Sequence, residues 1–328
     1  MPIFDMSLAD LKTYHPPRTR RSDFETFWQE TLHASALQPL EPSVEQVSYP
    51  VPEIEAFAIR YAGWQGARIA AWYLLPTNAA SLLPTLVFYH GYSGAKANIY
   101  RYLPWVLQGY TVLAVDVRGQ AGDSIDTTVY SSGHATGWLT QGILNEHEYY
   151  YRGVYVDAVR ALDFLATREE IDMTRVGVTG FSQGGGLALV VTALDNRPAL
   201  AMPGMPFLCH FERPLELSRA YPYWEIADYL RHYPARAERV FQTLAYFDNL
   251  NLADWIHCPV LFSVGLLDEI CPPSTIFAVY NRLNVPKQIA VFPYHGHEIP
   301  EQHQETELRW ANHYLRGVLE APEEPPGF

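Results

Sequence analysis

The sequence predicts an α/β domain: a doubly wound, mostly parallel sheet flanked by helices. Three observations predict it. Short, β-branched apolar runs alternate with amphipathic helical stretches from about residue 85 onward. One of those runs, Arg175–Thr179, passes through Gly180-Phe181-Ser182-Gln183-Gly184 directly into an apolar stretch of helical length. The residues richest in chemistry fall just past the ends of the apolar runs, where open α/β sheets place their ligands.

The elements follow in order. Asp23–Leu32 carries apolar residues at helical spacing and follows Ser22, an N-cap residue type. Pro39, Pro42, Pro50 and Pro52 then break the chain, and residues 54–75 read as a hairpin around Gly63-Trp64-Gln65-Gly66. Thr85–His90 is a buried strand leading into His90-Gly91-Tyr92-Ser93-Gly94, with a helix expected near Tyr100–Gln108. Tyr110–Asp116 is the next strand, ending at Arg118-Gly119-Gln120. Residues 121–146, rich in Gly, Ser and Thr, read as a long functional loop. Val154–Arg168 is helical, with Val156, Val159, Ala161, Leu162 and Leu165 on its apolar face. After the Ser182 segment come a strand at 198–203 and an aromatic-rich insertion at about 205–256. Cys258–Gly265 is a buried strand ending at Leu267-Asp268-Glu269, and Gln288–Phe292 is the last strand, followed by Tyr294-His295-Gly296-His297-Glu298. A closing helix occupies 301–319. With no internal repeat and no linker composition, residues 1–328 read as one domain carrying the insertion as a lid or interface element.

Composition excludes several classes of function. The chain has 328 residues, 48% of them hydrophobic, and a net charge of −13. Nucleic acid and anionic membranes both call for a basic face, so neither is an expected partner. Cys209, Cys258 and Cys271 are odd in number and form no Cys-x-x-Cys, which points to reduced thiols rather than disulfides or a thiolate zinc site. The N-terminal residues lack a basic segment followed by a continuous apolar one, and no apolar run approaches the roughly 18 residues that span a bilayer. The expected location is cytoplasmic. The 22 Tyr and 8 Trp suit a carbohydrate-lined site, a large core or an oligomer interface equally well.

Gly-x-Ser-x-Gly between a strand and a helix forces the serine into a strained conformation that lifts its side chain clear. A serine hydroxyl is a poor nucleophile by itself. It needs an imidazole to take its proton, and the imidazole needs a carboxylate to fix its tautomer and stabilise the imidazolium. Ser182, Asp268 and His297 each follow a strand, in the order Ser…Asp…His used by α/β-hydrolases. Glu269 and Asp254 compete for the acid, and His295 and His303 compete for the base. His303 falls in the closing helix, where an exposed surface histidine is expected. His295-x-His297 has the look of half a metal site, but no third ligand at helical spacing follows. Backbone N–H donors for an oxyanion are expected from Gln183, at the helix N-terminus, and from Tyr92, after the His90-ending strand.

Three segments, Arg118-Gly119-Gln120, Gly180-Phe181-Ser182-Gln183-Gly184 and His297-Glu298, resemble the signature motifs of one family. It is the acetyl xylan esterase/cephalosporin C deacetylase group, carbohydrate esterase family 7 of the α/β-hydrolase superfamily. Phe4-Asp5-Met6 with Asp23-Phe24…Phe27-Trp28, and Phe262–Asp268 with Cys271-Pro272-Pro273-Ser274-Thr275, are similar to that family as well, so the resemblance covers nearly the whole chain. It implies deacetylation of small acetylated substrates: xylo-oligosaccharides, cephalosporin C and simple acetyl esters. It implies no metal or organic cofactor, a cytoplasmic enzyme, and a hexamer (a trimer of dimers) with active sites facing an interior space. Carried over by motif, Ser182, Asp268 and His297 form the triad and Tyr92 and Gln183 the oxyanion hole. Arg118, Gln120 and Glu298 would support the motifs structurally. The competing readings are another α/β-hydrolase, of dienelactone hydrolase or peptidase type, and a non-catalytic member of the fold.

Overall fold

Nine strands lie side by side in one sheet of order β1-β2-β3-β5-β4-β6-β7-β8-β9. In this computed structural model residues 4–77 and 82–318 are described; residue 319, the end of the expected closing helix, lies outside them. The strands are β1 (Ser43–Val47), β2 (Ile54–Ala62), β3 (Arg68–Pro76), β4 (Leu83–Tyr89), β5 (Thr111–Val115), β6 (Ile171–Phe181), β7 (Leu200–Gly204), β8 (Val260–Gly265) and β9 (Lys287–Phe292). β1, β2, β3 and β5 pair antiparallel, and from β5 to β9 all pairs are parallel. The doubly wound, mostly parallel sheet read from the sequence is therefore the sheet observed.

The helices are α1 (Leu8–Thr13), α2 (Phe24–Ala36), α3 (Leu103–Val106), α4 (Tyr150–Ala166), α5 (Gln183–Leu194), α6 (Arg213–Leu217), α7 (Trp224–His232), α8 (Ala237–Leu244), α9 (Asn249–Leu252), α10 (Pro273–Tyr280) and α11 (Glu301–Arg316). They cover both faces of the sheet, as alternation along the strands requires. On one face Val87, Val176 and Val178 pack with Val154, Leu162, Leu187 and Val191 of α4 and α5. On the other, Leu86 and Leu200 pack with Trp310 and Leu315 of α11. Gly177 of β6 points at α11; a Cβ there would come within 2.9 Å of Leu315 Cδ1 and Leu86 Cδ2. Every residue of α5 from Gln183 to Ala193 is buried, so the helix is apolar all round rather than amphipathic.

Some expectations need correction. α2 starts at Phe24 with Asp23 at its N-cap, not Ser22, and no side chain caps it. The helix near residue 100 is a 3₁₀ turn over Ile99–Tyr102 followed by the short α3. The strand β1 and helix α1 are additions. β1 exposes four of its five residues at the sheet edge, so its sequence carries no apolar alternation and its pairing rests on the free edge of β2. The segment between β7 and β8, expected as an insertion, is largely helical and contributes α6 to α9. Among the described residues no helix is long and apolar enough to cross a membrane. All three cysteines are free and buried.

Candidate active site

Ser182 sits between the end of β6 and the start of α5 with φ of 59° and ψ of −116°. This left-handed backbone is costly for a residue with a Cβ, on the order of 1–3 kcal/mol, and persists only where the surroundings impose it. Here they do. Ser182 donates its N–H to Gly204 O at 2.8 Å, while its carbonyl accepts from Phe207 N at 2.9 Å and Gly186 N at 3.0 Å. The flanking glycines are needed for close approach. A Cβ on Gly180 would lie 2.4 Å from Tyr89 O, and one on Gly184 would lie 1.9 Å from the same atom. The turn is thus pressed against the end of β4.

Asp268 follows β8 and is fully buried. Its Oδ1 accepts from Ile270 N at 2.9 Å and Cys271 N at 2.8 Å. Its Oδ2 lies 2.7 Å from His297 Nδ1. The carboxylate therefore accepts a hydrogen bond from Nδ1–H, which keeps the proton on Nδ1 and leaves Nε2 as the basic atom. Backbone bonds lace the two loops together: Leu266 N donates to Phe292 O and Leu267 N to His295 O, both at 3.0 Å. The Phe181 ring, 4.6 Å from that of His297 and tilted by 38°, walls the imidazole from the strand side. Among the described residues His297 Nε2 has no hydrogen-bond partner, and Ser182 Oγ makes no bond to it. Such bonds often tighten only when substrate is bound.

The competing residues are elsewhere. Asp254 pairs with Arg18 and Arg20. Glu269 is exposed. His295 pairs with Glu298 at 2.9 Å on the surface, and among the described residues this is the only side-chain hydrogen bond of Glu298. His303, expected to be exposed, is only 1% exposed. Its ring meets Phe292 edge-on, and burial pushes its pKa down to about 4. Periodicity could have found this: His303 shares a helical face with Trp310, seven residues on.

Asp268, Cys271 and His297 place one potential ligand atom each within 4.8 Å of one another. As a metal site the set fits poorly. Both Asp268 oxygens are engaged by N–H donors, and burial pushes the Cys271 thiol well above its ordinary range, so it stays protonated.

Two backbone N–H groups near Ser182, those of Gln183 and Tyr92, have no protein acceptor among the described residues. The Tyr92 N–H belongs to the Gly91–Tyr92 peptide, and that peptide is held in place. Val117 N donates to His90 Nε2 at 2.9 Å, which leaves the proton on Nδ1, and Nδ1–H donates to Gly91 O at 2.8 Å. Gly94 N donates to the same carbonyl at 3.0 Å. Because a trans peptide points its C=O and N–H in opposite directions, fixing Gly91 O also aims Tyr92 N–H. Burial lowers the His90 pKa and keeps the ring neutral.

The Gln183 side chain turns away from the nucleophile into a buried network. Its Oε1 accepts from Gln120 Nε2 and Tyr151 OH, each at 2.9 Å, and its Nε2 donates to Gln120 Oε1 at 3.1 Å. Arg118 grips Asp157 of α4 with two bonds, at 2.6 and 2.7 Å, and donates to Trp64 O at 3.0 Å. These two motif residues thus join the β5 loop to α4, α5 and the hairpin. Sequence reasoning missed Asp157, Tyr150, whose OH accepts from Gln120 Nε2 at 3.1 Å and donates to Arg118 O at 2.6 Å, and Tyr151, the partner of Gln183. A charged residue inside the apolar α4 pattern was the available signal for Asp157.

A row of rings runs from Trp138 to Tyr223: Trp138 and Tyr92 are 5.3 Å apart, Tyr92 and Phe207 6.0 Å, and Phe207 and Tyr223 4.4 Å, and Phe207 N donates to Ser182 O. Phe181 also lines a cavity of about 490 Å³ that opens between the His90–Ala97 loop, Trp105 and α11.

The chain matches the family model described as acetyl xylan esterase (AXE1) over residues 1–314. It is 43% identical to an acetyl xylan esterase from Paenibacillus sp. R4, with a TM-score of 0.93 over 94% of this chain and 100% of that one. It is 34% identical to acetyl xylan esterase 1 from Thermoanaerobacterium sp. JW/SL YS485, with a TM-score of 0.90 over 94% of this chain and 98% of that one. Among curated proteins it is 28% identical, over 304 residues, to the acetyl esterase Axe7A of Xylanibacter ruminicola. The match covers 88% of this chain and 66% of that protein, so the chain spans just under two thirds of that relative's length.

Proposed function

The chain belongs to the acetyl xylan esterase family, a family of carboxylic ester hydrolases, and from that premise we propose that it removes acetyl groups from small acetylated carbohydrates with Ser182 as nucleophile. In this reading His297 Nε2 takes the hydroxyl proton as Ser182 Oγ attacks the acetyl carbonyl. The oxyanion forms against the N–H groups of Gln183 and Tyr92. His297 then gives the proton to the departing sugar oxygen, leaving an acetyl-enzyme. Water, activated by the same imidazole, releases acetate. Asp268 holds the Nδ1 tautomer and stabilises the imidazolium that forms in each step.

The observation that carries the proposal is the 2.7 Å contact between Asp268 Oδ2 and His297 Nδ1, on loops that follow β8 and β9, with Ser182 strained at the end of β6. The net charge of −13 favours neutral acyl sugars over anionic substrates. Cephalosporin C and simple acetyl esters, a cytoplasmic location and a hexameric assembly are parts of the same proposal, carried by the family resemblance. Purified protein is expected to release acetate from p-nitrophenyl acetate and from an acetylated xylose. Ser182→Ala is expected to lower kcat by on the order of 10⁴ to 10⁶. Unchanged turnover in that variant overturns the assignment.

A further inference from the structure

One acidic residue near the site is used by none of the steps above. Glu225 lies in α7, in the helical segment between β7 and β8, and is 3% exposed. Its two oxygens share the Tyr92 O–H, at 2.8 Å to Oε1 and 3.0 Å to Oε2, and Oε2 also accepts from Leu139 N at 2.9 Å. The Tyr92 oxygen in turn accepts from Trp138 N at 2.6 Å and Leu139 N at 3.2 Å. Gly137 leaves the space that the carboxylate fills: a Cβ there would lie 2.0 Å from Glu225 Oε1. Three segments distant in sequence therefore meet at one buried carboxylate: the loop after β4, the long loop before α4, and α7. Each carboxylate oxygen has a donor within reach, through the shared Tyr92 O–H and the Leu139 N–H, as a buried carboxylate requires.

Tyr92 is gripped at both ends. At its backbone, His90 and Gly94 hold Gly91 O and so aim the N–H. At its phenol, Glu225 and Trp138 N hold the side chain. Both grips act on the loop that carries one of the two proposed oxyanion donors. We propose that Glu225 is a positioning residue for the oxyanion hole: its carboxylate anchors Tyr92 by the phenol, so that the α7 segment and the 137–139 loop set where the Tyr92 N–H points. The inference rests on the reading of Ser182 and Tyr92 given under the proposed function.

The protonation of Glu225 provides a readout. Burial pushes its carboxyl up to about 7, against hydrogen bonds from Tyr92 and Leu139 that lower it, and Asp228 adds to the rise. The charged and titratable groups around it are Tyr92, Tyr149, Tyr221 and Asp228. Burial drives both the Tyr92 and Tyr149 phenols upward, so they stay neutral. Asp228 is itself paired with Arg231 and Tyr221. The ionised carboxylate is the better acceptor, so its grip is full above about pH 7 and weakens as the pH falls through that value.

The test is steady-state hydrolysis of p-nitrophenyl acetate between pH 5 and pH 9 by the full chain and by Glu225→Gln, Tyr92→Phe and the double variant. Glu225→Gln keeps the shape and is expected to lower kcat by about 10- to 100-fold at pH 8 with KM within about twofold, because a misaimed donor acts on the transition state rather than on binding. The deficit is expected to shrink below pH 7, where the wild-type side chain has also lost its charge. Tyr92→Phe keeps the backbone N–H but cuts the anchor. The double variant is expected to lose no more than the worse single one. Thermal unfolding of each variant identifies the folded proteins on which the comparison is made. A folded Glu225→Gln with wild-type kcat, a deficit that does not change with pH, or additive losses in the double variant each overturn the inference. Ser182→Ala is run alongside. If it is inactive while Glu225→Gln is normal, only this inference falls; if it turns over normally, the underlying reading falls with it.

Discussion

Asp268 makes no hydrogen bond to the proposed nucleophile, yet the chemistry proposed for Ser182 depends on it. It decides which nitrogen of His297 carries the proton. Asp268→Asn is expected to cost on the order of 10⁴ in kcat, because an amide can present its NH₂ to Nδ1 and favour the wrong tautomer. The backbone cradle from Ile270 and Cys271 keeps the side chain in place in that variant, so KM for p-nitrophenyl acetate should change little. An Asp268→Asn enzyme with near wild-type kcat would mean that another group orients the imidazole. The sequence brought Ser182, Asp268 and His297 within reach because each follows a strand and strand ends converge at one edge of a parallel sheet. What it could not supply is the set of contacts that depend on three-dimensional neighbours. The Glu225 anchor joins residues 92, 139 and 225, and His90 acts through a carbonyl. Neither leaves a local pattern to read.

At the scale of elements, the strand–turn–helix from Ile171 to Leu194 was legible because its glycines, its β-branched run and its apolar helix agree with one another. The same logic failed for α11. Its start at residue 301 was read correctly, but the helix ends at Arg316, with Gly317 in the left-handed region, rather than at 319, and His303 was assigned to the surface because a histidine is usually polar and exposed. It is instead part of the contact between α11 and β9, with no hydrogen-bond partner for Nδ1 among the described residues. A histidine that must stay neutral to remain buried makes folding sensitive to acid. Its pKa is about 4 in the folded chain against 6.5 in the unfolded one. Below pH 6.5 the unfolded chain binds a proton that the folded chain refuses, so stability falls as the pH drops from about 6.5 to about 4. His210, also lowered to about 4 by burial, acts in the same direction. His303→Phe keeps a ring against Phe292 and removes one of the three such titrations, those of His303, His210 and His90. Chemical denaturation at pH 7.5 and pH 5 should show the loss of stability shrinking by about 2 kcal/mol in that variant. An unchanged loss would show that His303 can be protonated in the folded state.

For the whole molecule, the described surface leaves Tyr100, Leu107, Val129 and Tyr294 among its exposed large apolar residues. They are scattered over several segments, and their positions do not specify how copies would meet. The proposed hexamer is thus a statement about the family, and light scattering tests it: the expected mass is six times 37.3 kDa, and a monodisperse monomer would contradict it. The catalytic proposal needs no such assembly, since every residue it names lies within one chain. It makes a covalent claim, that acetyl passes through Ser182. Rapid acid quench of the enzyme during turnover of p-nitrophenyl acetate, followed by peptide mass spectrometry, tests that claim most directly. The account predicts one acetyl group on the peptide carrying Ser182, and no acetyl-peptide in Ser182→Ala. Acetyl on a different residue, or full turnover in Ser182→Ala, would contradict it.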